Sequence, residues 1–447
     1  MESKGKLSGK EILIMDNSVI LNNRETIKKY RRSLTIDKEV LGKIGGILII
    51  LFTVYATDTA YFAANIPTKV LLLVIGFIVL FLVYVYFNLK RSNLSIPFYK
   101  FLFLIFFMGM VITTMLYNSD SVRSYLHIIL LIFCGFFVTE LLSFQVFTRM
   151  FKTFMLFLCI ASLIAFIVKP LILQHSLLLP NFTNATGVQF INLGVTNIPV
   201  ISVNRNFGVF WEPGVFQAYI NLALIFELFF NKQFPRSNYI LIFILTIFST
   251  LSTTGLICLC LIIIAYMIKN KFKYIKHFKT IAVIIVLFMG LLISMQLHPD
   301  IYFASYNNSV FGKLSDIGGS FDERINATIA DFYVSIHNPL FGVGINNNIE
   351  IARQAGDSLG RSFKSNTNTI AYWLASYGLF LGLILVLLYI KLCFRICGEN
   401  KLCFYVILVI GAVLLILASE NFLNSLLFNT LIFYALDGNN RELMLQE

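Results

Sequence analysis

Asn238 to Ile268 reads NYILIFILTIFSTLSTTGLICLCLIIIAYMI, an apolar run broken once by a small polar knot, Ser249-Thr250-Leu251-Ser252-Thr253-Thr254-Gly255. A membrane-spanning helix needs about 20 apolar residues, with a range of roughly 17–25. One helix over this whole stretch would overshoot the bilayer. The knot therefore reads as a tight turn between two spans, 238–251 and 253–268, with a single tilted helix as the alternative.

Working outward, similar runs occur at 44–62, 70–89, 98–117, 125–144, 151–168, 213–230, 280–296, 367–390, 402–418 and 421–436. Together they make about twelve spans and an all-α polytopic membrane protein. Composition agrees: 58% of the 447 residues are hydrophobic and 13% charged, whereas soluble domains carry about 45–50% and about 25%. The formal charge of +12 reports orientation here. With the N-terminus inside, 26 of the 35 Lys and Arg fall in or beside inner segments, including Lys269, Lys271, Lys273, Lys276 and Lys279. That is the positive-inside pattern. It predicts cytoplasmic tails at 1–43 and 437–447 and a membrane domain at 44–436. The polar first 40 residues lack the early apolar stretch of a cleavable leader. No basic helix with interleaved aromatics suggests nucleic acid as a partner. The seven cysteines lie in or beside apolar runs, with neither a disulfide framework nor zinc-ligand spacing.

Two outward segments are long, 169–212 and 297–366. Long loops are uncommon unless functional. Asp58, Glu140, Glu227 and Glu420 lie near span ends, where each can snorkel or pair locally, and no central charged relay suggests a proton-coupled pump. The first loop ends in Asn204-Arg205-Asn206-Phe207-Gly208-Val209-Phe210-Trp211-Glu212-Pro213-Gly214. Pro213 suits the first turn of a helix and Glu212 its positive end, with Gln217 and Asn221 deeper on one face. Such a mouth suits an anionic, hydroxyl-rich substrate; equally, Arg205 and Glu212 can simply pair and cap. In the second loop, Ser320-Phe321-Asp322-Glu323 has the form of a capping box. Phe321, Ile325, Ile329, Phe332 and Ile336 form one helical stripe that ends at His337-Asn338-Pro339. Gly342 and Gly344 can bring backbone N–H groups to an anion, or make a plain turn. Arg353, Arg361 and Lys364 run against the positive-inside trend; their partner is either lipid headgroups or a diphosphate held by guanidinium forks. Asn366, Thr367 and Asn368 give the next span a polar first turn.

Three of these stretches together resemble the O-antigen and capsular polysaccharide repeat-unit polymerases and, more distantly, the O-antigen ligases of the same superfamily. They are Arg205 to Gly214, Arg324 through His337-Asn338-Pro339-Leu340-Phe341-Gly342-Val343-Gly344, and Asn366-Thr367-Asn368 leading into Ala375-Ser376-Tyr377-Gly378-Leu379-Phe380-Leu381-Gly382. The resemblance implies a C-type, membrane-embedded glycosyltransferase of the bacterial cytoplasmic membrane. Donor and acceptor would be glycans on undecaprenyl diphosphate, with membrane lipids, a chain-length regulator and a flippase as further partners and no cofactor or metal. It implies diphosphate binding by Arg205 and Arg324, helped by Arg353 and Arg361. Glu212 is the first candidate for the base and His337 the second. Asn206, Gln217, Gly342, Gly344, Asn366 and Asn368 are candidates for substrate contact. Two departures stand out. Ligases usually carry His-Asn where Thr367-Asn368 stands, which favours polymerase over ligase. Relatives often carry Arg in the knot, which here is Ser252-Thr253-Thr254-Gly255. A ligase, a non-enzymatic flippase for lipid-linked oligosaccharide and a transporter are the rival readings.

Overall fold

In lipid, backbone polar groups must be satisfied within the chain, so apolar runs of this length become helices. The computed structural model describes residues 42–90, 98–184, 187–200, 205–230, 235–270, 320–363 and 365–437. The expected span at 280–296, the Lys271 to Lys279 loop, Lys364 and most of both tails lie outside the described residues. The helices are α1 (42–58), α2 (Ala60–Ala64), α3 (Ile66–Lys90), α4 (Phe98–Tyr117), α5 (Val122–Leu141), α6 (Phe144–Ile167), α7 (Lys169–Gln174) and α8 (Pro213–Phe229). After them come α9 (Ser237–Thr250), α10 (Thr253–Lys269), α11 (Ser320–His337), α12 (Asn348–Ser358), α13 (Thr369–Cys397), α14 (Phe404–Ser419) and α15 (Leu426–Tyr434).

Among the described residues, five stretches are long and apolar enough to cross a membrane: Pro67–Phe87 in α3, and α4, α5, α6 and α13. The shorter apolar helices α8, α9, α10 and α14 pack among them. Of the five, α5 is the most enclosed and α3 the least. The architecture is that of a helical, polytopic membrane protein. The knot at 249–255 does separate two helices: Leu251 takes a left-handed conformation (φ 49°), and the Ser252 hydroxyl accepts a bond from Gly255 N–H to cap α10.

The structure corrects the expectation in three places. The run 44–62 is broken at Thr59, which pairs with Phe210 in an isolated β-bridge, while Ala60 N–H donates to Val209 O at 2.9 Å. The run 421–436 is helical only over the nine residues of α15, because residues 420–425 form a non-helical break closed by a turn in which Ser425 N–H donates to Phe422 O. The chain is also not purely helical. The first long loop folds β1 (Asn181–Thr183), β2 (Gln189–Asn192) and β3 (Asn197–Pro199) into an antiparallel meander. Phe182 stacks on the buried Phe190, and Ile191 and Ile198 bury against Ala165 of α6. Three strands of three or four residues carry too little alternation to stand out from loop sequence.

The four span-end acids are buried and paired rather than snorkelling. Asp58 accepts bonds from Thr57, Tyr219 and Ser425. Glu140 pairs with Lys100 at 2.9 Å, Glu227 with Lys152 at 2.7 Å and Glu420 with Arg324 at 2.9 Å. Two polar ends result. One gathers the start of α8, the turn between α9 and α10, the start of α13 and the end of α14. The other gathers the end of α8 and the starts of α6 and α9.

Candidate functional site

At the first of these ends, Pro213 opens α8 and Glu212 is its N-cap residue, extended at φ −146°, ψ 145°. The Glu212 side chain does not cap the helix. It turns instead to Arg324 of α11, 3.4 Å away, and the same guanidinium nitrogen donates to Glu420 at 2.9 Å. The two carboxylates are held unequally: the Glu420 side chain is 4% exposed, Glu212 31% and Arg324 26%. Burial and the neighbouring Glu212 carboxylate push the Glu420 carboxyl, in the break beyond α14, up to about 8, against the opposing pull of Arg324.

Backbone geometry makes this convergence possible. A Cβ on Gly214 would overlap the Glu420 carboxylate, so only glycine lets Glu420 lie across the first turn of α8. Thr369, at the start of α13, donates its hydroxyl to Glu420 O at 2.5 Å and accepts from Phe422 N–H at 2.8 Å, which fixes the break. Arg205 approaches from the first loop. Its Nε donates to Thr250 O at 2.9 Å, and its charge interacts with Glu212, Glu420 and Arg324. Asn206 holds that approach in place: its amide donates to Ser162 and Ser249 hydroxyls at 3.1 and 3.0 Å, and its carbonyl accepts from Gly208 N–H. One turn deeper, Gln217 is fully buried, donating to Ser419 at 3.4 Å and accepting from Asn221 at 2.9 Å, while Gly255 packs against its side chain.

The remaining candidates lie elsewhere. Asn368 caps α13, accepting from Ile370 and Ala371 N–H, and its amide donates to Thr328 of α11 at 3.2 Å. This ties the helix that carries Arg324 to the start of α13. Asn366 donates to Asn348 within a buried polar cluster. Gly342 and Gly344 adopt positive φ (62° and 77°), and their N–H groups are committed to Asn338 O and Ser376 O. The pair lets the backbone pack against the kink of α13 at Gly378, where a Cβ at Gly342 would overlap Ala375 O. His337 is exposed at the far end of α11, its Nδ1 beside Tyr333 O, roughly 20 Å along the helix from Arg324. Arg353 pairs with Glu350 one turn away and Arg361 donates to Asn326 at 2.9 Å, both exposed.

The helical stripe of α11 faces outward: Ile325, Phe332 and Ile336 are exposed, whereas Ala327, Ala330 and Val334 are buried against α12 and α13. The side chains of Ser320 and Phe321 lie outside the described residues. Sequence reasoning missed Glu420 as a site residue and treated it as one more span-end acid. The available signal was Glu420-Asn421, a polar pair interrupting two apolar runs.

Residues 239–387, about a third of the chain, match the family model described as O-antigen ligase, a similarity to the O-antigen ligase/polymerase superfamily over that segment. The matched segment contains the knot, Arg324, the Gly342-Val343-Gly344 turn and the first part of α13 with its kink at Gly378. No curated protein matches the chain.

Proposed function

We propose that the chain is a glycosyltransferase that joins oligosaccharide repeat units carried on undecaprenyl diphosphate, at the outer face of a bacterial cytoplasmic membrane. The observation that carries this reading is the unequal grip on Arg324. Glu420 holds it at 2.9 Å in a buried contact, and Glu212 touches it at 3.4 Å from a more exposed position. A diphosphate arriving at the mouth displaces Glu212 from Arg324 without disturbing Glu420. Arg324 and Arg205 then face the leaving group, and Glu212 is released beside them.

In the reaction, the acceptor hydroxyl attacks the anomeric carbon of the donor. The carbon–oxygen bond to the diphosphate breaks, and the lipid diphosphate leaves with the electron pair. Negative charge grows on the leaving oxygen, where fixed guanidinium groups stabilise it most. The proton of the acceptor hydroxyl passes to Glu212, which is free to take it only once Arg324 has turned to the diphosphate. Glu420 stays on Arg324 as the positioning group. Arg353 and Arg361, both exposed, are candidates for the approach of the anionic substrate rather than for the step itself.

In a cell making the polymer, Arg324→Ala and Arg205→Ala are expected to abolish the ladder of long chains while single-repeat products and protein levels persist. Arg324→Lys rescues poorly, since an ammonium cannot hold two acceptors in one plane. A normal ladder in both Ala variants sinks the assignment. The description of the matching family names a ligase without separating it from a polymerase, and the Thr367-Asn368 pair in place of His-Asn weighs against a ligase. The loss phenotype separates the two, because a defective ligase leaves free lipid-linked polymer.

A further inference from the structure

The second polar end of the bundle encloses a cavity of about 540 Å³, lined by Arg149, Lys152, Glu227, Arg236, Tyr239 and Arg395 together with the ring of Phe229 and neighbouring groups. It lies at the opposite end of the 17-residue α8 from Glu212, roughly 25 Å away. Four cations face one carboxylate. Both Glu227 oxygens are engaged, one by Lys152 Nζ at 2.7 Å and the other by Arg236 N–H at 2.8 Å. That carboxylate therefore offsets Lys152 and leaves Arg149 and Arg236 in excess, Arg395 having Asp437 beside it.

Arg149 is exposed, and its guanidinium has no hydrogen-bond or ion-pair partner among the described residues. Arg236 gives one guanidinium donor to Tyr239 at 2.9 Å and lies 5.0 Å from that ring. Arg395 stacks on Phe144 at 4.7 Å, donates to Tyr434 O and sits 3.7 Å from Asp437. Each guanidinium offers five donors, so most of those lining the cavity stay open. Like charges gathered where helices end, around a space that size, repel one another unless an anion with several oxygens joins them.

We infer that this cavity binds the phosphate of an anionic phospholipid from the leaflet at that end of the bundle. The lining helix ends put it at the depth of lipid headgroups, and Phe229 and Phe230 offer apolar surface for the glycerol and first methylenes. Basic pockets between membrane helices on the cytoplasmic side suit such headgroups, and the positive-inside orientation puts this end there. The inference does not depend on the glycosyl-transfer reading. A bound lipid would join α6, α8, α9 and α13 at the end remote from the chemistry.

The test uses the full chain in phosphatidylcholine nanodiscs with increasing phosphatidylglycerol, reading the unfolding midpoint and, by native mass spectrometry, the phosphatidylglycerol retained. Wild type and the far-end control Arg123→Gln are expected to gain stability together. Arg149→Gln, which removes no internal contact among the described residues, needs more phosphatidylglycerol for the same gain, and Arg149→Gln/Arg236→Gln about tenfold more. Equal dependence in wild type and both variants, with equal lipid retained, overturns the inference. A full gain from millimolar inorganic diphosphate in phosphatidylcholine discs, with none from phosphatidylglycerol, also overturns it and assigns the cavity to a soluble phosphate.

Discussion

Gly214 shows how a single absent side chain admits the arrangement proposed for catalysis. The Glu420 carboxylate lies where a Cβ would stand, so Gly214→Ala drives Glu420 away from the first turn of α8 and shifts Arg324 with it. Chain growth is expected to fall about a hundredfold, the scale of an ångström misplacement, with the protein still expressed; a normal glycan ladder contradicts this. Glu212→Gln tests the base directly: retained full activity removes Glu212 from that role. A separate residue, Asp331, sits buried between α11 and α12 with neither carboxylate oxygen hydrogen-bonded. Burial pushes its carboxyl up to about 8, offset in part by the nearby Asn348 amide. The native state keeps that proton to a higher pH than the unfolded chain does, so stability falls as pH rises from about 4 towards 8. Asp331→Asn is expected to flatten that slope and raise the unfolding midpoint at pH 8, by a difference on the order of a few kcal/mol. An unchanged pH profile argues that Asp331 ionises normally.

At the scale of elements, the sequence was most legible where hydrophobic runs were long. Starts and ends at Phe98, Tyr117 and Pro213 follow the apolar runs almost residue for residue, because lipid leaves the backbone no other arrangement. Legibility failed where a helix is interrupted inside the membrane domain. Thr59 and Gly378 look like ordinary members of apolar runs, the break at 420–425 shows only as the short polar pair Glu420-Asn421, and the partners that break the helix at these places (Phe210, Leu340 and Thr369) are remote in sequence. Glu420 went unrecognised for the same reason: its role depends on Gly214 and Arg324. Arg205, Glu212 and Arg324, candidates because they stand in the two long loops, are brought together by the structure. Gly378 gives an element-level test. At φ 84°, ψ 167°, its missing Cβ leaves room for Leu340 O. Gly378→Ala should straighten α13, detach the Gly342–Gly344 turn and cost about 2 kcal/mol or more, seen as a lowered unfolding midpoint in detergent.

For the whole molecule, the two polar ends make a prediction about sidedness. The orientation proposed above puts the Arg324 cluster outside and the Arg149 cavity inside. In a cysteine-free background, Arg353→Cys should react with an impermeant maleimide in intact cells, and Arg149→Cys only after permeabilisation. The reverse pattern would turn the proposed site towards the cytoplasm, where no exported glycan could reach it.

Arg324 and Glu212 stand 112 residues apart in the chain and still share a hydrogen bond; Glu420 comes from a third region. No single loop, then, owns the proposed reaction centre. Chimaeras that trade one of the two long loop segments with a relative should be inactive rather than altered in specificity, and a new linkage preference would have to travel with matched exchanges of both segments and the break after α14.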